Sequence, residues 1–133
     1  MGRVVLDTSI LIALERQALP IDSVLTPTLE VFVPEVAIAE FLVGIELTNS
    51  AAHKLRRLAF LQTVEAFSKP VHFDRAHAHN FAKLVAQSKV LGKPRGSIDL
   101  AIAASAVTLD AVLYTSDVKG RFDQLIGLAV KEF

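Results

Sequence analysis

A single carboxylate interrupts an apolar run close to the start of the chain. Asp7 lies in the stretch VVLDTSILI, between the apolar residues 4–6 and a segment of helical character. An isolated ionised carboxylate among apolar side chains costs several kcal/mol unless another group compensates its charge. The compensating group is a helix N-terminus, an arginine or a metal ion, so the chemistry open to Asp7 runs from helix capping to metal coordination.

A second carboxylate, Glu40, is singled out by its position on a predicted helix over residues 35–47. At about 100° per residue, Glu35 and Glu46 fall within roughly 20° of each other, whereas Glu40 lies about 140° from Glu35. A solvent-facing glutamate would share the face of Glu35 and Glu46. We therefore expect the side chain of Glu40 to point inward.

Two more acidic residues accompany a helix and a strand in the second half of the chain. Asp99 lies in the first turn of a predicted helix over residues 98–109, and residues 100–107 carry no charge, which is typical of a buried helix. Asp117 follows a predicted strand over residues 111–115, in the stretch YTSDVKG. Ligands of doubly wound sheets bind at the carboxyl ends of the strands. We expect Asp7, Asp99 and Asp117 at that edge.

The elements that must position these side chains are short apolar strands alternating with longer helices. The predicted strands cover residues 4–6, 31–33, 71–73, 111–115 and 128–130, and the helices cover residues 8–16, 35–47, 51–67, 75–88 and 98–109. Residues 35–67 therefore form a helical hairpin. The alternation predicts an α/β fold with an open parallel sheet covered by helices on both faces.

Four carboxylates at one edge of a sheet repel one another and raise one another's pKa. Hard divalent cations that prefer oxygen ligands, Mg²⁺ or Mn²⁺, relieve that repulsion. Each residue also has a purely structural explanation. Asp7 would cap a helix, Asp99 would favour a helix N-terminus, Asp117 would form a turn, and Glu40 would be an exposed residue of a helix drawn wrongly.

Composition limits the partners and the compartment. The 133 residues fit one compact domain, and 52% of them are hydrophobic, which leaves a surplus for an oligomer or partner interface. The formal net charge is 0, so a nucleic acid must be contacted through local patches, of which Lys54, Arg56 and Arg57 form one and Arg95 another. The alternative for both patches is a solvated surface. Without cysteine or a membrane-length apolar stretch, we expect a cytoplasmic protein.

Several known catalytic motifs are absent. The stretch LGKPRGS lacks the glycine spacing of a Walker A loop, and the sequence has no G-x-S-x-G elbow. His77 and His79 are two residues apart on a predicted helix and so point about 200° apart, which argues against a shared metal ion.

With these residues in hand, the sequence resembles the PIN-domain ribonucleases and, within them, the VapC-type toxins of bacterial toxin–antitoxin modules. The similarity rests on LDTSILIAL around Asp7, AIAEFLVGIE around Glu40, GKPRGSIDLAIAASA around Asp99 and LYTSDVKGRFDQLIGL around Asp117. These stretches occur in the family's order across nearly the whole chain. The resemblance implies one PIN domain over residues 1–133, a three-layer fold with parallel strand order 3-2-1-4-5, and the hairpin 35–67 as a protruding clip.

The resemblance also implies a Mg²⁺-dependent endoribonuclease, with Mn²⁺ as a substitute, in which metal-activated water hydrolyses RNA. The four acidic residues would bind one or two ions. Supporting hydroxyls would come from Thr8 or Ser9 and from Thr115 or Ser116. Many relatives carry an asparagine near Asp117 and an aspartate just before the phenylalanine, where this chain has Gly120-Arg121 before Phe122. Asp123 is therefore the alternative fourth acidic residue.

The implied partners are an RNA substrate and a VapB-type antitoxin, in a homodimer or a toxin–antitoxin hetero-oligomer. Two other functions stay open at the level of the sequence. One is a catalytically silent PIN-like binding module, and the other is a metal-dependent 5′ nuclease or phosphatase that acts on DNA.

Overall fold

The computed structural model describes residues 2–92, 95–117, 122–125 and 127–133. The strands are β1 (Gly2–Leu6), β2 (Leu29–Pro34), β3 (Lys69–Val71), β4 (Val112–Thr115) and β5 (Ala129–Glu132). The helices are α1 (Thr8–Glu15), α2 (Ile21–Val24), α3 (Glu35–Glu46), α4 (Ala51–Phe67), α5 (Arg75–Val90) and α6 (Ser97–Leu109), and a 3₁₀ turn covers Phe122–Gln124. In the described residues no helix combines the length and apolar character needed to cross a bilayer.

The five strands form one parallel sheet in the order β3-β2-β1-β4-β5, flanked by helices. This confirms the predicted fold class and strand order. Leu6 of β1 lies opposite Tyr114 of β4, and the Asp7 amide continues the ladder by donating to the Tyr114 carbonyl at 3.0 Å. The carboxyl ends of β1 and β4 are therefore neighbours, which brings the residues that follow each strand to the same edge.

Helix α6 is buried over residues 100–106, as its uncharged sequence predicts. Four of those seven residues are alanine, so the backbone of α6 can approach its neighbours closely, and α6 packs against α5 and α3. Asp99 precedes this buried stretch by one residue. The packing of α6 thus fixes the place of Asp99 at the start of the helix.

The third strand differs from the prediction. Residues 71–73 were expected to form it, but β3 spans Lys69–Val71 and includes Pro70. β3 is the edge strand of the sheet, and a proline that lacks an amide donor is tolerated on an edge strand. The short helix α2 was not predicted from the sequence.

Candidate active site

Asp7 lies at the centre of the carboxyl edge, directly after β1 and at the N-cap of α1. Its side chain is only 3% exposed. The amide of Thr8 donates to Oδ1 at 2.9 Å, and the hydroxyls of Ser9 and Thr115 donate to Oδ2 at 2.8 and 2.9 Å. Both carboxylate oxygens are therefore fixed in direction by the first turn of α1 and by the end of β4.

The hydroxyl residues after β1 and β4 join the two strand ends. The Ser116 amide donates to Ser9 Oγ at 3.0 Å, and the Asp117 amide donates to Thr115 Oγ1 at 3.0 Å. The Ser116 hydroxyl donates to the Ser9 carbonyl at 3.3 Å. Of each predicted pair of supporting hydroxyls, Ser9 and Thr115 contact the Asp7 carboxylate, whereas Ser116 braces Ser9.

Thr8 differs from the other three hydroxyl residues. Its backbone amide binds Asp7, but its own hydroxyl is buried and has no hydrogen-bond partner among the described residues. An unpaired buried hydroxyl costs about 1–3 kcal/mol. Thr8 therefore supports Asp7 through its backbone rather than its side chain.

The structure brings Asp7, Glu40 and Asp117 within electrostatic range of Asp99. Burial raises the pKa of Asp99, and the negative charges of the other three carboxylates raise it further, to about 6. Burial also raises the pKa of Asp7, against the lowering effect of the Ser9, Thr115 and Thr8 hydrogen bonds, and the charge of Glu40 adds to the rise.

The orientation of Glu40 agrees with the helical-wheel argument. Glu40 is half-buried on α3, whereas Glu35 and Glu46 on the same helix are exposed. Likewise, His77 is buried and His79 is exposed on α5, so these two histidines do face in different directions.

The donor chemistry of the four carboxylates fits a hard divalent cation, because burial and the neighbouring negative charges raise the pKa of Asp99 and of Asp7, and a shared positive charge stabilises such ionised oxygen ligands. Within the described residues, however, no group of three or more acidic or histidine side chains lies in an arrangement that holds an ion. Asp7 is held by three hydrogen bonds, which leaves Asp99 and Glu40 as the less constrained carboxylates among the described residues.

The second acidic residue proposed for the fourth position, Asp123, has a side chain that lies outside the described part of the structure. Asp117 lies within it, and its charge contributes to the raised pKa of Asp99. Asp117 is therefore within electrostatic range of Asp99, and the choice between Asp117 and Asp123 as a ligand stays a hypothesis.

The predicted RNA-contacting arginines differ in their surroundings. Arg57 Nε donates to Glu15 Oε2 at 3.1 Å, and its guanidinium lies 4.5 Å from the centre of the Phe41 ring. Arg95 donates from Nη1 to Ser88 Oγ at 3.4 Å and from Nη2 to Gln124 Oε1 at 3.2 Å. Both arginines thus connect separate elements of the fold.

The two remaining candidates lie on α4, where Arg56 is exposed and Lys54 is half-buried. Sequence reasoning missed Arg16, at the C-cap of α1, which shares a cleft with Arg56. The contacts of Arg57 left one signal in the sequence, namely Gly44 within the last turn of α3, because glycine has a low helix propensity.

With this geometry in view, the comparisons with known proteins assign the class. The PIN domain model matches residues 4–126, so the chain belongs to the PIN domain family. The chain is 27% identical to Ribonuclease VapC1 of Rickettsia felis over 126 residues, which cover 95% of this chain and 92% of that protein.

Two solved structures extend the likeness over nearly the full length. VapBC2 of Rickettsia felis, bound to a DNA fragment from its promoter, matches with a TM-score of 0.87 at 18% identity, covering 98% of both chains. VapBC-5 of Mycobacterium tuberculosis, a member of the VapBC family of toxin–antitoxin systems, matches with a TM-score of 0.76 at 29% identity, covering 100% of this chain and 98% of the other. The former likeness supports the fold alone.

Proposed function

We propose that this PIN domain protein is a Mg²⁺-dependent endoribonuclease of the VapC type. The observation that carries the proposal is the convergence of Asp7, Glu40 and Asp117 on Asp99, where burial and the three neighbouring charges raise the pKa of Asp99 to about 6. A metal-dependent nuclease needs such a set of oxygen donors at one point. The similarity to Ribonuclease VapC1 supports RNA as the substrate.

In this mechanism Asp7, Glu40 and Asp99 would hold a Mg²⁺ or Mn²⁺ ion, with Asp117 or Asp123 as the fourth acidic residue. Such a cation would supply a more acidic water and relief of charge on the phosphate. Ser9 and Thr115 keep the Asp7 carboxylate in one orientation through their hydrogen bonds. One of the less constrained carboxylates orients the attacking water and accepts its proton.

The test is cleavage of end-labelled single-stranded RNA by metal-stripped protein after addition of Mg²⁺, Mn²⁺ or excess EDTA. We expect cleavage with either ion and none with EDTA. Asp99→Asn should lower the cleavage rate by at least about 100-fold. Loss of a residue that only supports a metal ligand typically costs at most about 100-fold, so a larger effect would indicate direct ligation. Full activity in EDTA would exclude the metal mechanism, and absence of any cleavage by the wild type would favour a silent binding module.

Asp110→Asn provides a matched control for Asp99→Asn. Asp110 is the C-cap of the same helix, at its opposite end, and adopts a left-handed backbone with φ of 51°. Asparagine tolerates that conformation well. The control variant should therefore keep its fold and full activity. A parallel DNA oligonucleotide separates an RNA-specific enzyme from a DNA nuclease, since preferential cleavage of DNA would replace the proposed substrate.

We further propose that a VapB-type antitoxin neutralises the enzyme in the cytoplasm, within a homodimer or a toxin–antitoxin hetero-oligomer. The proposal takes residues 1–133 as one PIN domain in which α3 and α4 form a protruding clip. Large apolar side chains are exposed on both helices, with Val43, Leu47 and Leu55 at 56%, 76% and 70%. Exposed apolar surface of this kind is typical of a partner interface. The similar structures of VapBC systems support the identity of that partner.

Co-expression with a candidate antitoxin, followed by light scattering, tests the partner. We expect a stable complex that lacks ribonuclease activity. A Val43→Asp/Leu55→Asp variant should keep its activity but escape inhibition, because charges on this face disfavour apolar contact. Inhibition that is unchanged in the double variant would exclude this face as the antitoxin site.

A further inference from the structure

We refer to the part of the sheet edge where Asp7, Glu40, Asp99 and Asp117 converge as the acidic edge. A basic cleft lies beside it, between the C-terminal ends of α1 and α3 and the first half of α4. Its volume is about 540 Å³. Arg16, His53 and Arg56 form its exposed basic rim, and Leu47 and Phe60 contribute apolar surface. The proposed reaction does not use these side chains. We refer to this feature as the basic cleft.

Arg57 and Glu15 form an ion pair at the floor of the basic cleft. Arg57 is paired with Glu15 at 3.1 Å and stacks on Phe41, so its charge is already satisfied inside the protein. Gly44 permits this arrangement, since a Cβ atom there would lie 2.9 Å from Arg57 Nη1. Among the described residues, Glu15 is the only acidic side chain that lines the cleft, and Arg57 neutralises its charge.

Arg16 and Arg56 are left as the permanent positive charges of the rim. In the portion of the chain that the structure describes, neither forms a salt bridge, and both are exposed. A guanidinium fork binds a phosphate group through two parallel hydrogen bonds, which favours phosphate over most other ligands. The rim therefore offers a net charge of at least +2 to an anion.

The basic cleft is continuous with the acidic edge through two helices. Helix α1 begins directly after Asp7 and reaches Arg16 nine residues later, a rise of about 13 Å. On α3, Gly44 lies one turn beyond Glu40, about 6 Å along the helix axis. A single strand of nucleic acid whose scissile phosphate is at the acidic edge would reach the cleft within a few nucleotides.

We propose that the basic cleft binds phosphodiester groups of the RNA substrate on one side of the scissile bond. This inference rests on the proposed function, because it concerns the same substrate. A protein with a net charge of 0 and an acidic active edge repels RNA at that edge unless a nearby basic surface attracts the strand. The apolar surface of Leu47 and Phe60 provides contact for a base or a ribose between phosphates.

The experiment measures binding without cleavage. A fluorescein-labelled single-stranded RNA oligonucleotide is titrated with Asp99→Asn protein in Mg²⁺ buffer, by anisotropy at several KCl concentrations. The test variant adds Arg16→Gln and Arg56→Gln. We expect affinity to fall at least tenfold at low salt, and the slope of log K against log salt to fall by about 1.4, or about 0.7 for each lost phosphate contact with a single strand.

A second variant controls for the loss of two charges. Arg75→Gln and Lys89→Gln remove two exposed positive charges from α5, outside the basic cleft. This control should bind RNA with nearly unchanged affinity and slope. An equal loss of affinity in both double variants would assign the effect to net charge and overturn the proposal. Circular dichroism melting curves show whether each variant remains folded.

The cleavage assay supplies an independent readout. In the otherwise wild-type protein, Arg16→Gln/Arg56→Gln should raise KM at least tenfold and leave kcat unchanged, as loss of uniform substrate binding predicts. If the wild type does not cleave RNA, the proposed function fails while the anisotropy experiment still reports on the cleft. Unchanged RNA affinity, with weaker binding of an acidic amphipathic peptide to the double variant, would assign the cleft to a protein partner instead.

Discussion

Removing the Asp99 carboxylate should make the protein more stable in the absence of divalent cations. Asp99 is half-buried and lies close to three other carboxylates, and its pKa is raised from 3.8 to about 6. A carboxyl group whose pKa is higher in the folded state than in the unfolded state destabilises the folded state once it is ionised. Asp99→Asn removes that charge and keeps the size of the side chain.

The magnitude follows from the pKa. At about 1.4 kcal/mol for each pH unit, a rise from 3.8 to about 6 amounts to roughly 3 kcal/mol of lost stability above pH 7. A carboxylate in the first turn of a helix also gains about 0.3–1 kcal/mol from the helix dipole, which the variant gives up. We therefore expect Asp99→Asn to raise the free energy of unfolding by about 2 kcal/mol at pH 7.5.

The sign of the pH dependence is fixed by the same reasoning. Well below pH 3.8, Asp99 is protonated in both states and the two proteins should differ little. As the pH rises from about 4 to about 6, the unfolded state loses its proton first, so the wild type loses stability that the variant keeps. The advantage of the variant should then be constant above pH 7.

Urea unfolding followed by circular dichroism, in EDTA at pH 4 and pH 7.5, checks this prediction. Addition of Mg²⁺ at pH 7.5 should stabilise the wild type more than Asp99→Asn, since a bound ion favours the ionised carboxylate. If the variant is no more stable than the wild type at pH 7.5, the neighbouring carboxylates do not destabilise the ionised form of Asp99.

Three further substitutions have expected outcomes in the same unfolding and cleavage assays. Asp7→Asn should have a free energy of unfolding about 1–3 kcal/mol below that of Asp99→Asn, because its NH₂ group would face the Ser9 and Thr115 hydroxyls that donate to the carboxylate; equal stability of the two variants would contradict the hydrogen-bond assignment. Gly44→Ala should not raise the free energy of unfolding by the roughly 1 kcal/mol that alanine usually gains over glycine in a helix, because its Cβ would displace Arg57. Arg95→Ala should lower kcat more than it raises KM, since Arg95 ties the loop before α6 to α5 and to the 3₁₀ turn; a rise in KM alone would instead indicate contact with RNA.

The sequence predicted the parts of the fold that depend on local pattern. Apolar runs and helix periodicity placed most of the strands and long helices, and the rotation of about 140° between Glu35 and Glu40 correctly predicted which glutamate is half-buried. The shift of β3 was not predictable from pattern, because a proline between two residues usually ends an element and is tolerated within a short strand mainly at a sheet edge. Whether residues 69–71 form an edge depends on the whole sheet.

The partners of Arg57 and Arg95 were also not predictable from the sequence. Arg57 and Glu15 are 42 residues apart, and Arg95 and Gln124 are 29 residues apart, so neither pair leaves a periodic signal in the sequence. A cluster of basic residues on one helix therefore did not distinguish Arg57, which is paired, from Arg56, which is exposed. Only packing of α1, α3 and α4 separates these roles.

The acidic edge and the basic cleft place opposite demands on an RNA strand, and together they explain how a chain of zero net charge could act on a polyanion. At the edge, burial raises the pKa of Asp7 against three hydrogen bonds that stabilise its ionised form, whereas the Asp99 carboxylate accepts no hydrogen bond from the described residues. A divalent cation would therefore act mainly on Asp99, and would make the edge attractive to phosphate. Monovalent salt weakens phosphate contacts at the cleft. Divalent and monovalent cations should consequently have opposite effects on RNA binding, each through a different surface.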